Sequence, residues 1–261
     1  MMISSNEVHL WYLFDEQISD PALLLRYHRL LNEEETKQQK RFFFKKHRHQ
    51  YLVTRALMRC VLSFYVDEIL PQEWQFYKNR YGKPYINDFL TKHPLQFNLS
   101  HTDKMAVMAV TFNNDIGVDV EYVHRRKNMV ELAENYFSPI EVKHLRDLSE
   151  DYQRNRFFEL WTLKEAYIKA CGMGLSIPLN QFSYIFTGQG KISILFEPER
   201  NDQPEKWQFW HICPNQYHRV SVALKKDKIN TSYFLSMRRI VPLVDIQTVD
   251  YPIMMDSALP A

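Results

Sequence analysis

One short segment, Ile116-Gly117-Val118-Asp119-Val120-Glu121, constrains this 261-residue chain more than any other feature. Side chains alternate between the two faces of a strand, so Asp119 and Glu121 point the same way while the apolar residues between them point into a core. Two carboxylates about 7 Å apart on one rigid face, joined by a third from Glu165, predict a cradle for a divalent metal ion. Oxygen ligands of this kind favour Mg²⁺, with Mn²⁺ as the alternative, over zinc.

The third carboxylate lies in a helical segment, Trp161-Thr162-Leu163-Lys164-Glu165-Ala166-Tyr167-Ile168-Lys169. Helical periodicity places Lys164 in the middle of an apolar stripe and Glu165 at its edge, beside Lys169 four residues on. The ordinary interpretation is a snorkelling lysine next to a surface ion pair. Because the Asp-x-Glu strand lies upstream, we favour a functional interpretation, in which Lys164, Glu165 and Lys169 act in catalysis and the metal holds a polyphosphate.

The composition excludes several classes of protein. The net charge is only +2, so affinity for phosphate or nucleic acid must come from local clusters of charge. The three cysteines, Cys60, Cys171 and Cys213, are far apart and lack CxxC spacing, which predicts free thiols in a reducing compartment. The start of the chain, Met1 to Leu10, does not resemble a signal peptide, and no segment has the eighteen or so apolar residues of a membrane span. We therefore expect a cytoplasmic protein without a membrane partner.

The order of predicted elements indicates an α+β fold. A strand at Glu7–Leu13, a long helical region at about Glu34–Tyr65 and further strands precede a second run in which strand, helices and strands recur. We expect two lobes that join near Asn113-Asn114-Asp115, with the site in the cleft between them. The predicted boundaries are 1–113 for the N-terminal lobe, 114–240 for the C-terminal lobe and 241–261 for an extension with one more strand and a partly disordered tail.

Two further segments carry candidate phosphate contacts. Phe97-Asn98-Leu99-Ser100-His101 ends a predicted strand with donors, and neighbouring strand residues face opposite ways, which argues against a Ser-His nucleophile. A phosphate contact by Ser100 and His101 is favoured over nucleophilic catalysis, and a satisfied turn histidine is the default interpretation of such a pair in isolation. In Tyr81-Gly82-Lys83-Pro84, Lys83 offers a point charge to a phosphate, although the segment also suits a bare turn.

The run Lys40-Arg41-Phe42-Phe43-Phe44-Lys45-Lys46-His47-Arg48-His49 mixes cations with aromatic residues. A solvated helix face is the default interpretation of such a run, and a nucleic-acid patch or a phosphate site are the alternatives.

Taken together, the motifs resemble those of the Sfp-type 4′-phosphopantetheinyl transferases, which prime acyl and peptidyl carrier proteins. The resemblance lies in the order and spacing of four segments: Tyr81–Pro84, Phe97–His101, Ile116–Glu121 and Phe158–Lys169. It implies two lobes related by a pseudo-twofold axis, with coenzyme A in the cleft and Mg²⁺ on its pyrophosphate. The acceptor would be a serine of an apo carrier protein, the by-product 3′,5′-ADP, and the enzyme a monomer that binds no nucleic acid.

The resemblance also assigns residues. It implies that the metal ligands are Asp119, Glu121 and Glu165. It implies that coenzyme A is contacted by Lys83, Asn98, Ser100, His101 and Lys169, with help from Lys164. Where the family often has basic residues for the 3′-phosphate, this chain reads Glu35-Thr36-Lys37-Gln38-Gln39, in which only Lys37 is positively charged. We expect that contact to shift to Lys37, Arg41 or Arg48.

Two other functions compete with this one. A metal-dependent nuclease or phosphohydrolase also uses an Asp-x-Glu pair with lysine, and predicts turnover of nucleic acid without coenzyme A. An RNA-binding module that uses Lys40–His49 predicts strongly salt-dependent binding that is indifferent to loss of Asp119.

Overall fold

The structure, a computed structural model, describes residues 1–87, 94–123, 129–187 and 190–257. Two β-sheets lie face to face and share a buried apolar layer that includes Val8, Leu10, Val118 and Val220. A second apolar cluster packs helices against the outer face of the first sheet, and a third does the same for the second sheet. The predicted α+β fold class is confirmed.

Within the residues that the structure describes, the N-terminal part supplies three α-helices and five strands. Their bounds are β1 (Glu7–Leu13), α1 (Pro21–His28), α2 (Glu33–Arg41), α3 (Lys45–Ser63), β2 (Phe76–Lys78), β3 (Pro84–Ile86), β4 (Leu95–Thr102) and β5 (Met105–Phe112). A capping box at Asn32 starts α2, since its side chain accepts from the Glu35 N–H while the Glu35 carboxylate accepts from the Asn32 N–H.

The described ranges of the rest of the chain supply three more α-helices and eight strands. Their bounds are β6 (Ile116–Tyr122), α4 (Met129–Tyr136), α5 (Pro139–Arg146), α6 (Glu150–Cys171), β7 (Phe182–Thr187), β8 (Lys191–Phe196), β9 (Trp207–Asn215), β10 (His218–Lys225), β11 (Phe234–Val241), β12 (Asp245–Val249) and β13 (Ile253–Asp256). Gly172 ends α6 in the left-handed conformation, which a glycine adopts without strain.

The topology repeats between the two halves. In the first sheet β1 pairs with β5, and β5 pairs with β4; in the second, β6 pairs with β10, and β10 pairs with β9. In each half the first strand pairs with the second strand of a later antiparallel pair, and a long helix, α3 or α6, lies between them in the chain. This repetition agrees with two similar lobes, while the twofold relation between them stays a prediction.

The predicted C-terminal boundaries are wrong. Strand β11 pairs in parallel with β1, and β12 pairs with β11, so residues 234–249 belong to the first sheet. Strand β13 pairs with β9 and β8 in the second sheet. Residues 241–257 are thus divided between the sheets and form no separate extension, because the edges of both sheets offer them main-chain partners. The predicted disordered tail at residues 258–261 lies outside the described residues.

The predicted helix at Glu34–Tyr65 is in fact two helices. Phe42 adopts an extended conformation at the end of α2, and Phe44 precedes α3 in the same conformation. The break is held by Arg48, whose Nη1 donates to the Phe42 carbonyl (3.3 Å), and by Gln39, whose Nε2 donates to the Arg48 carbonyl (3.1 Å). Local hydrogen bonds therefore replace the helical ones that a continuous helix would make.

Strands β4 and β6 meet side by side where the lobes join. The Val118 N–H donates to Asn98 Oδ1 (3.0 Å), and the Tyr122 N–H donates to Thr102 Oγ1 (3.2 Å). Side chains of one lobe thus hold the main chain of the other, which brings the end of β4 to the middle of β6.

Candidate active site

Helix α6 lies directly on β6 because of Gly117. A Cβ atom at position 117 would come within 2.0 Å of the Ala166 carbonyl oxygen and 2.4 Å of the Ala170 N. Only glycine permits this approach of two main chains. The result is that Glu165, next to Ala166, and Lys169, next to Ala170, are held close to Asp119 on the strand.

Three side chains from three elements meet at this point. Lys169 Nζ lies 2.5 Å from Asp119 Oδ1 and 2.9 Å from Ser100 Oγ, and Ser100 Oγ donates to the same carboxylate oxygen at 2.9 Å. Asp119 and Ser100 are buried, whereas Lys169 is partly exposed. An ammonium group is therefore held at the boundary between the lobes and remains open to solvent on one side.

Glu165 lies beside this cluster. Desolvation raises the pKa of Glu165, the negative charge of Asp119 raises it further, and Lys169 opposes both effects. Glu121 is half-buried on the same face of β6 and lies opposite Arg219 in the register of β10. Asp119 and Glu165, two of the three predicted metal ligands, are therefore close enough to interact electrostatically.

A metal ion fits this site only in part. Asp119 Oδ2 is buried and makes no hydrogen bond within the described residues, and a carboxylate oxygen in that condition suits a cation. No three His, Cys, Asp or Glu side chains of the described ranges are grouped closely enough to hold a metal together, so the predicted three-carboxylate cradle is not confirmed. Mg²⁺ needs fewer protein ligands than this, because it is often bound through one or two carboxylates, waters and substrate phosphates. Asp119 and Glu165 meet that requirement.

The assignment of Lys164 to catalysis is wrong. Its ammonium group is fully buried in the second lobe, 2.8 Å from Glu141 Oε2, and donates to the carbonyls of Leu179 and Phe182, both at 2.6 Å. It also lies 4.3 Å from the centroid of the Phe182 ring. Burial lowers the pKa of Lys164, and Glu141 opposes that change. Lys164 therefore links α6 to α5 and β7 and does not face the cleft.

Two predicted coenzyme A contacts are also engaged elsewhere. Lys83 is buried, and its Nζ donates to the carbonyls of Ile116 (3.2 Å) and Ala170 (3.0 Å), so it joins β6 to the end of α6 and contacts no open surface. Asn98 is buried, and its side-chain oxygen holds the Val118 N–H. Both side chains therefore hold the main chain of the site in position and do not face its open surface.

His101 follows Ser100 and lies on the rim of the site. Part of its surface reaches solvent, yet partial desolvation lowers its pKa, and the charges of Lys169 and Arg55 lower it further. A neutral imidazole surrounded by cations can donate to an anion without adding a counter-charge of its own.

Arg55 is a residue that the sequence interpretation missed. It lies on a face of α3 between buried residues and approaches Glu35 Oε1 only to 3.9 Å, while its buried Nε has no partner within the described residues. Together with Gln38 and Tyr51 it lines a cavity of about 300 Å³ between the helices and the β2–β3 hairpin. The signal was available, because an arginine among the apolar residues of a packed helix face requires a polar partner.

The other predicted cations lie nearby but are not gathered into one site. Lys37 is largely exposed and lies 3.7 Å from Glu33, one turn earlier on α2. Arg48 donates to the Phe42 carbonyl. Their contact with a 3′-phosphate stays a prediction.

A buried polar chain supports Asp119 from the side of β10. Ser221 lies opposite Asp119 in the register, and its hydroxyl bonds to Thr162 Oγ1 (2.8 Å) and His211 Nδ1 (2.9 Å). Burial lowers the pKa of His211 to about 3, so the imidazole stays neutral. Helix α6 and two strands are thereby fixed to each other behind the site.

Two family models match the chain. Residues 115–231 match the 4′-phosphopantetheinyl transferase superfamily, and residues 20–113 match the N-terminal part of 4′-phosphopantetheinyl transferases. The second lobe with its carboxylates and the first lobe with its basic helices are thus each matched separately. Of the helices in the described ranges, none has the length and apolar character to cross a bilayer.

Individual proteins are also similar to the chain. 4′-Phosphopantetheinyl transferase HetI of Nostoc sp. is 30% identical over 228 residues, which cover 86% of this chain and 90% of that protein. 4′-Phosphopantetheinyl transferase Sfp of Bacillus subtilis is 34% identical over 58% of this chain and 64% of that protein. A solved holo-(acyl-carrier-protein) synthase from Bacillus anthracis is 17% identical, covers 44% of this chain and 96% of its own, and superposes with a TM-score of 0.36.

Proposed function

Because the chain belongs to the 4′-phosphopantetheinyl transferase superfamily of enzymes, we propose that it transfers the 4′-phosphopantetheine arm of coenzyme A to a serine hydroxyl of an apo acyl or peptidyl carrier protein. The reaction is Mg²⁺-dependent and releases 3′,5′-ADP. The observation that carries the proposal is the cluster of Ser100, Asp119 and Lys169, which places an ammonium and a carboxylate at one point between two lobes.

Phosphoryl transfer asks the protein mainly to position the reactants and to neutralise charge. In our proposal Lys169 contacts the pyrophosphate, since its ammonium is fixed by Asp119 and Ser100 yet partly open to solvent. The Ser100 hydroxyl would turn away from Asp119 to donate, together with His101, to the phosphate oxygens on the side of the first lobe. Arg55, with Lys37 or Arg48, contacts the 3′-phosphate.

Asp119 and Glu165 would hold Mg²⁺, with Glu121 as a further or water-mediated ligand. The ion supplies neutralisation of the charge that develops on the phosphate oxygens. Asp119 Oδ2, which has no hydrogen-bond partner within the described residues, supports this placement. The pKa of Glu165 is raised first by desolvation and then by the negative charge of Asp119, and a bound cation would offset that charge.

The proposed chemistry is one displacement. The serine oxygen of the acceptor forms a bond to the phosphorus that carries the pantetheine, and the bond from that phosphorus to the bridging oxygen breaks. The bridging oxygen leaves with 3′,5′-ADP, and the serine proton passes to a base. Glu165 is the candidate base, because its carboxylate lies beside the cluster of Ser100, Asp119 and Lys169 at which the acceptor serine has to arrive.

Intact-mass measurement of an apo carrier protein tests the proposal. With coenzyme A and Mg²⁺ present, we expect a gain of one phosphopantetheine, and no gain when either is omitted or when Asp119 is replaced by Ala. The exposed Glu199→Ala variant is a matched control and should behave like the wild type. No gain on fatty-acid, polyketide or peptide carriers by the folded protein would contradict the proposal.

No finding favours the nuclease or phosphohydrolase alternative. The monomeric state and the cytoplasmic location stay predictions from the sequence, and light scattering of the purified protein tests the first of them.

A further inference from the structure

The turn between β4 and β5, residues 102–104, follows directly after Ser100 and His101 in the chain. Its three main-chain carbonyls each accept a hydrogen bond from a different element; the donors are Gln50 Nε2 of α3 to Thr102 (2.6 Å), the Asp15 N–H after β1 to Lys104 (3.2 Å) and His218 Nε2 of β10 to Asp103 (3.0 Å). Two of these donors belong to the first lobe, as the turn does, and only His218 reaches it from the second lobe. His218 therefore joins the lobes next to the strand end that carries Ser100 and His101.

His218 is buried, with 2% of its surface exposed, and both of its ring nitrogens face acceptors. Nε2 lies 3.0 Å from the Asp103 carbonyl, and Nδ1 lies 3.0 Å from Asn215 Oδ1. The Asn215 atom is an acceptor, because it also accepts from the main-chain N–H groups of Tyr217 and His218. A neutral imidazole has one N–H and can donate to only one of the two oxygens, whereas an imidazolium donates to both.

The hydrogen bond between the lobes therefore competes with one inside the second lobe. With its proton on Nε2, the neutral ring donates to Asp103 and leaves Nδ1 facing the Asn215 oxygen; with its proton on Nδ1, the reverse holds. Either arrangement places a lone pair against an oxygen, which is unfavourable in a buried site. A second proton removes the competition, so the contact between the lobes strengthens when the ring becomes charged.

The surroundings of His218 carry charges of both signs. The titratable groups near it are Asp103, Lys104 and Glu16 from the first lobe and Tyr122, Tyr217 and Arg154 from the second. Apart from Asp103, they line with His218 a cavity of about 640 Å³ to which both lobes contribute. Desolvation lowers the pKa of His218, the Asp103 carbonyl and the charges of Asp103 and Glu16 oppose that change, and the charge of Lys104 adds to it. The ring is thus neutral at neutral pH and gains its second proton in acidic solution.

His218 is not placed to touch the substrate. Both of its ring nitrogens are engaged, and the rings of Tyr122 and Phe14 lie against it, with centroids 5.1 Å and 6.1 Å away. Any effect of His218 on the reaction therefore passes through the turn. Thr102 Oγ1 also accepts from the Tyr122 N–H (3.2 Å), so the end of β4 is fixed to the second lobe at two successive residues, Thr102 and Asp103.

We propose that His218 is a positioning residue for the transfer reaction, and that its hydrogen bond to the Asp103 carbonyl sets where the end of β4 lies relative to α6. The inference rests on the proposed function. Ser100 belongs to the first lobe and Lys169 to the second, so a shift of the turn moves apart two groups of one site. A misplacement of about 1 Å is enough to lower a rate substantially. Because the contact strengthens as the pH falls, it adds a pH dependence that does not come from the reacting groups.

Two amide variants, His218→Gln and His218→Asn, test the inference because each imitates one ring nitrogen. The Gln amide takes the place of Nε2 and donates to the Asp103 carbonyl at any pH, whereas the shorter Asn amide takes the place of Nδ1 and does not reach Asp103. The matched control is His9→Gln, since His9 is also 2% exposed but lies on β1 with its Nδ1 2.7 Å from the Tyr65 hydroxyl. The kcat and the KM for coenzyme A are measured between about pH 5 and pH 8, and urea unfolding gives the folded fraction.

We expect the kcat of His218→Asn to fall by about tenfold and that of His218→Gln to stay within about threefold of the wild type at neutral pH. The ratio of the wild-type kcat to that of His218→Gln should rise as the pH falls, while the same ratio for His9→Gln should stay constant. Equal kcat values for the Asn and Gln variants, with normal transfer by the wild type, would overturn this inference and leave the proposed function standing. Absence of transfer by the folded wild type would overturn both.

The wild type supplies a second test that does not depend on the folding of a variant. Nitrogen-15 NMR of labelled histidine distinguishes the two neutral tautomers from the charged ring. We expect the proton of neutral His218 on Nε2, and a second proton on Nδ1 in acidic solution. A His218 ring whose proton stays on Nδ1 alone, at the pH of fastest transfer, would overturn the inference.

Discussion

Two lysines of helix α6, Lys164 and Lys169, have opposite surroundings. They are five residues apart, which places them about 140° apart around α6. Lys164 is fully buried against Glu141 and two carbonyls, whereas Lys169 reaches Asp119 and Ser100 at the boundary between the lobes. Each lysine lies next to one carboxylate. The contact of Lys164 is fully buried and uses every donor of the ammonium group, whereas the contact of Lys169 is partly exposed to solvent.

The comparison teaches how to separate a structural ion pair from a functional one. Around Lys164 every donor is used, because two main-chain carbonyls and Glu141 surround the ammonium. Around Lys169, one oxygen of the Asp119 carboxylate has no partner among the residues that the structure describes, and a second carboxylate nearby, Glu165, has a raised pKa. Incomplete compensation of charge, and not the presence of an ion pair, marks the side of the helix that we propose binds a ligand.

The largest effect on the transfer rate should come from Asp119, on the side of α6 that carries Lys169. Asp119→Asn keeps the shape of the side chain but removes the charge that fixes Lys169 and the oxygen offered to the metal. We expect the transfer rate to fall by about 10²–10³-fold or more, with an unchanged unfolding midpoint in urea. A rate within threefold of the wild type would show that the cluster is not the active site.

The two carboxylate partners give the next contrast. Glu141→Gln leaves the Lys164 ammonium buried without a counter-charge, so we expect a loss of about 3 kcal/mol in the free energy of unfolding. Glu165→Gln makes the same chemical change on the open side, where it relieves repulsion with Asp119, and should keep or raise stability while lowering the rate. Urea unfolding and transfer rates of both variants check this, and equal stability losses would contradict it.

Gly117 tests whether the approach of α6 to β6 sets the site. Gly117→Ala forces the helix away from the strand, because the new methyl group would overlap the Ala166 carbonyl and the Ala170 N. We expect a loss of about 1–3 kcal/mol in stability, and a fall in kcat that exceeds any rise in the KM for coenzyme A. A stable variant with a normal kcat would mean that the position of Lys169 tolerates a shift of the helix.

The smallest expected effect concerns the rim. If His101 contacts the 3′-phosphate, dephospho-coenzyme A should still serve as a donor with a higher KM and a smaller change in kcat, because this group lies away from the reacting phosphorus. His101→Ala should then reduce the difference in KM between coenzyme A and dephospho-coenzyme A. Arg55→Gln should reduce the same difference in KM. If neither variant changes the ratio of the two KM values, neither residue contacts the 3′-phosphate.

Local patterns predicted much of the fold and of the site. Alternation over residues 116–122 identified β6, and its two-residue period placed Asp119 on the face that turns toward α6. Helical periodicity identified α6 and the side of it that carries Lys169. These predictions hold because they depend only on neighbours within one element.

The predictions that were wrong concern residues whose partners are distant in the sequence. Periodicity places Lys164 on an apolar face but does not reveal Glu141 on another helix or the free carbonyls of Leu179 and Phe182. The same applies to Lys83, whose partners Ile116 and Ala170 lie in the other lobe. The return of residues 234–249 to the first sheet is likewise a pairing across more than two hundred residues, for which the local sequence carries no signal.

The central claim is that one face of α6 is structural and the other chemical, and paired Lys→Met substitutions test it most directly. Lys164→Met and Lys169→Met remove the same charge with similar loss of volume, five residues apart. We predict that Lys164→Met lowers the free energy of unfolding by about 3–5 kcal/mol, since it leaves Glu141 buried and unpaired, while the folded fraction keeps its kcat/KM. Lys169→Met should leave stability within about 1 kcal/mol and lower kcat/KM by about 100-fold. If both variants lose stability and activity in the same proportion, or if Lys164→Met alone loses activity while it stays folded, the division of the helix is wrong.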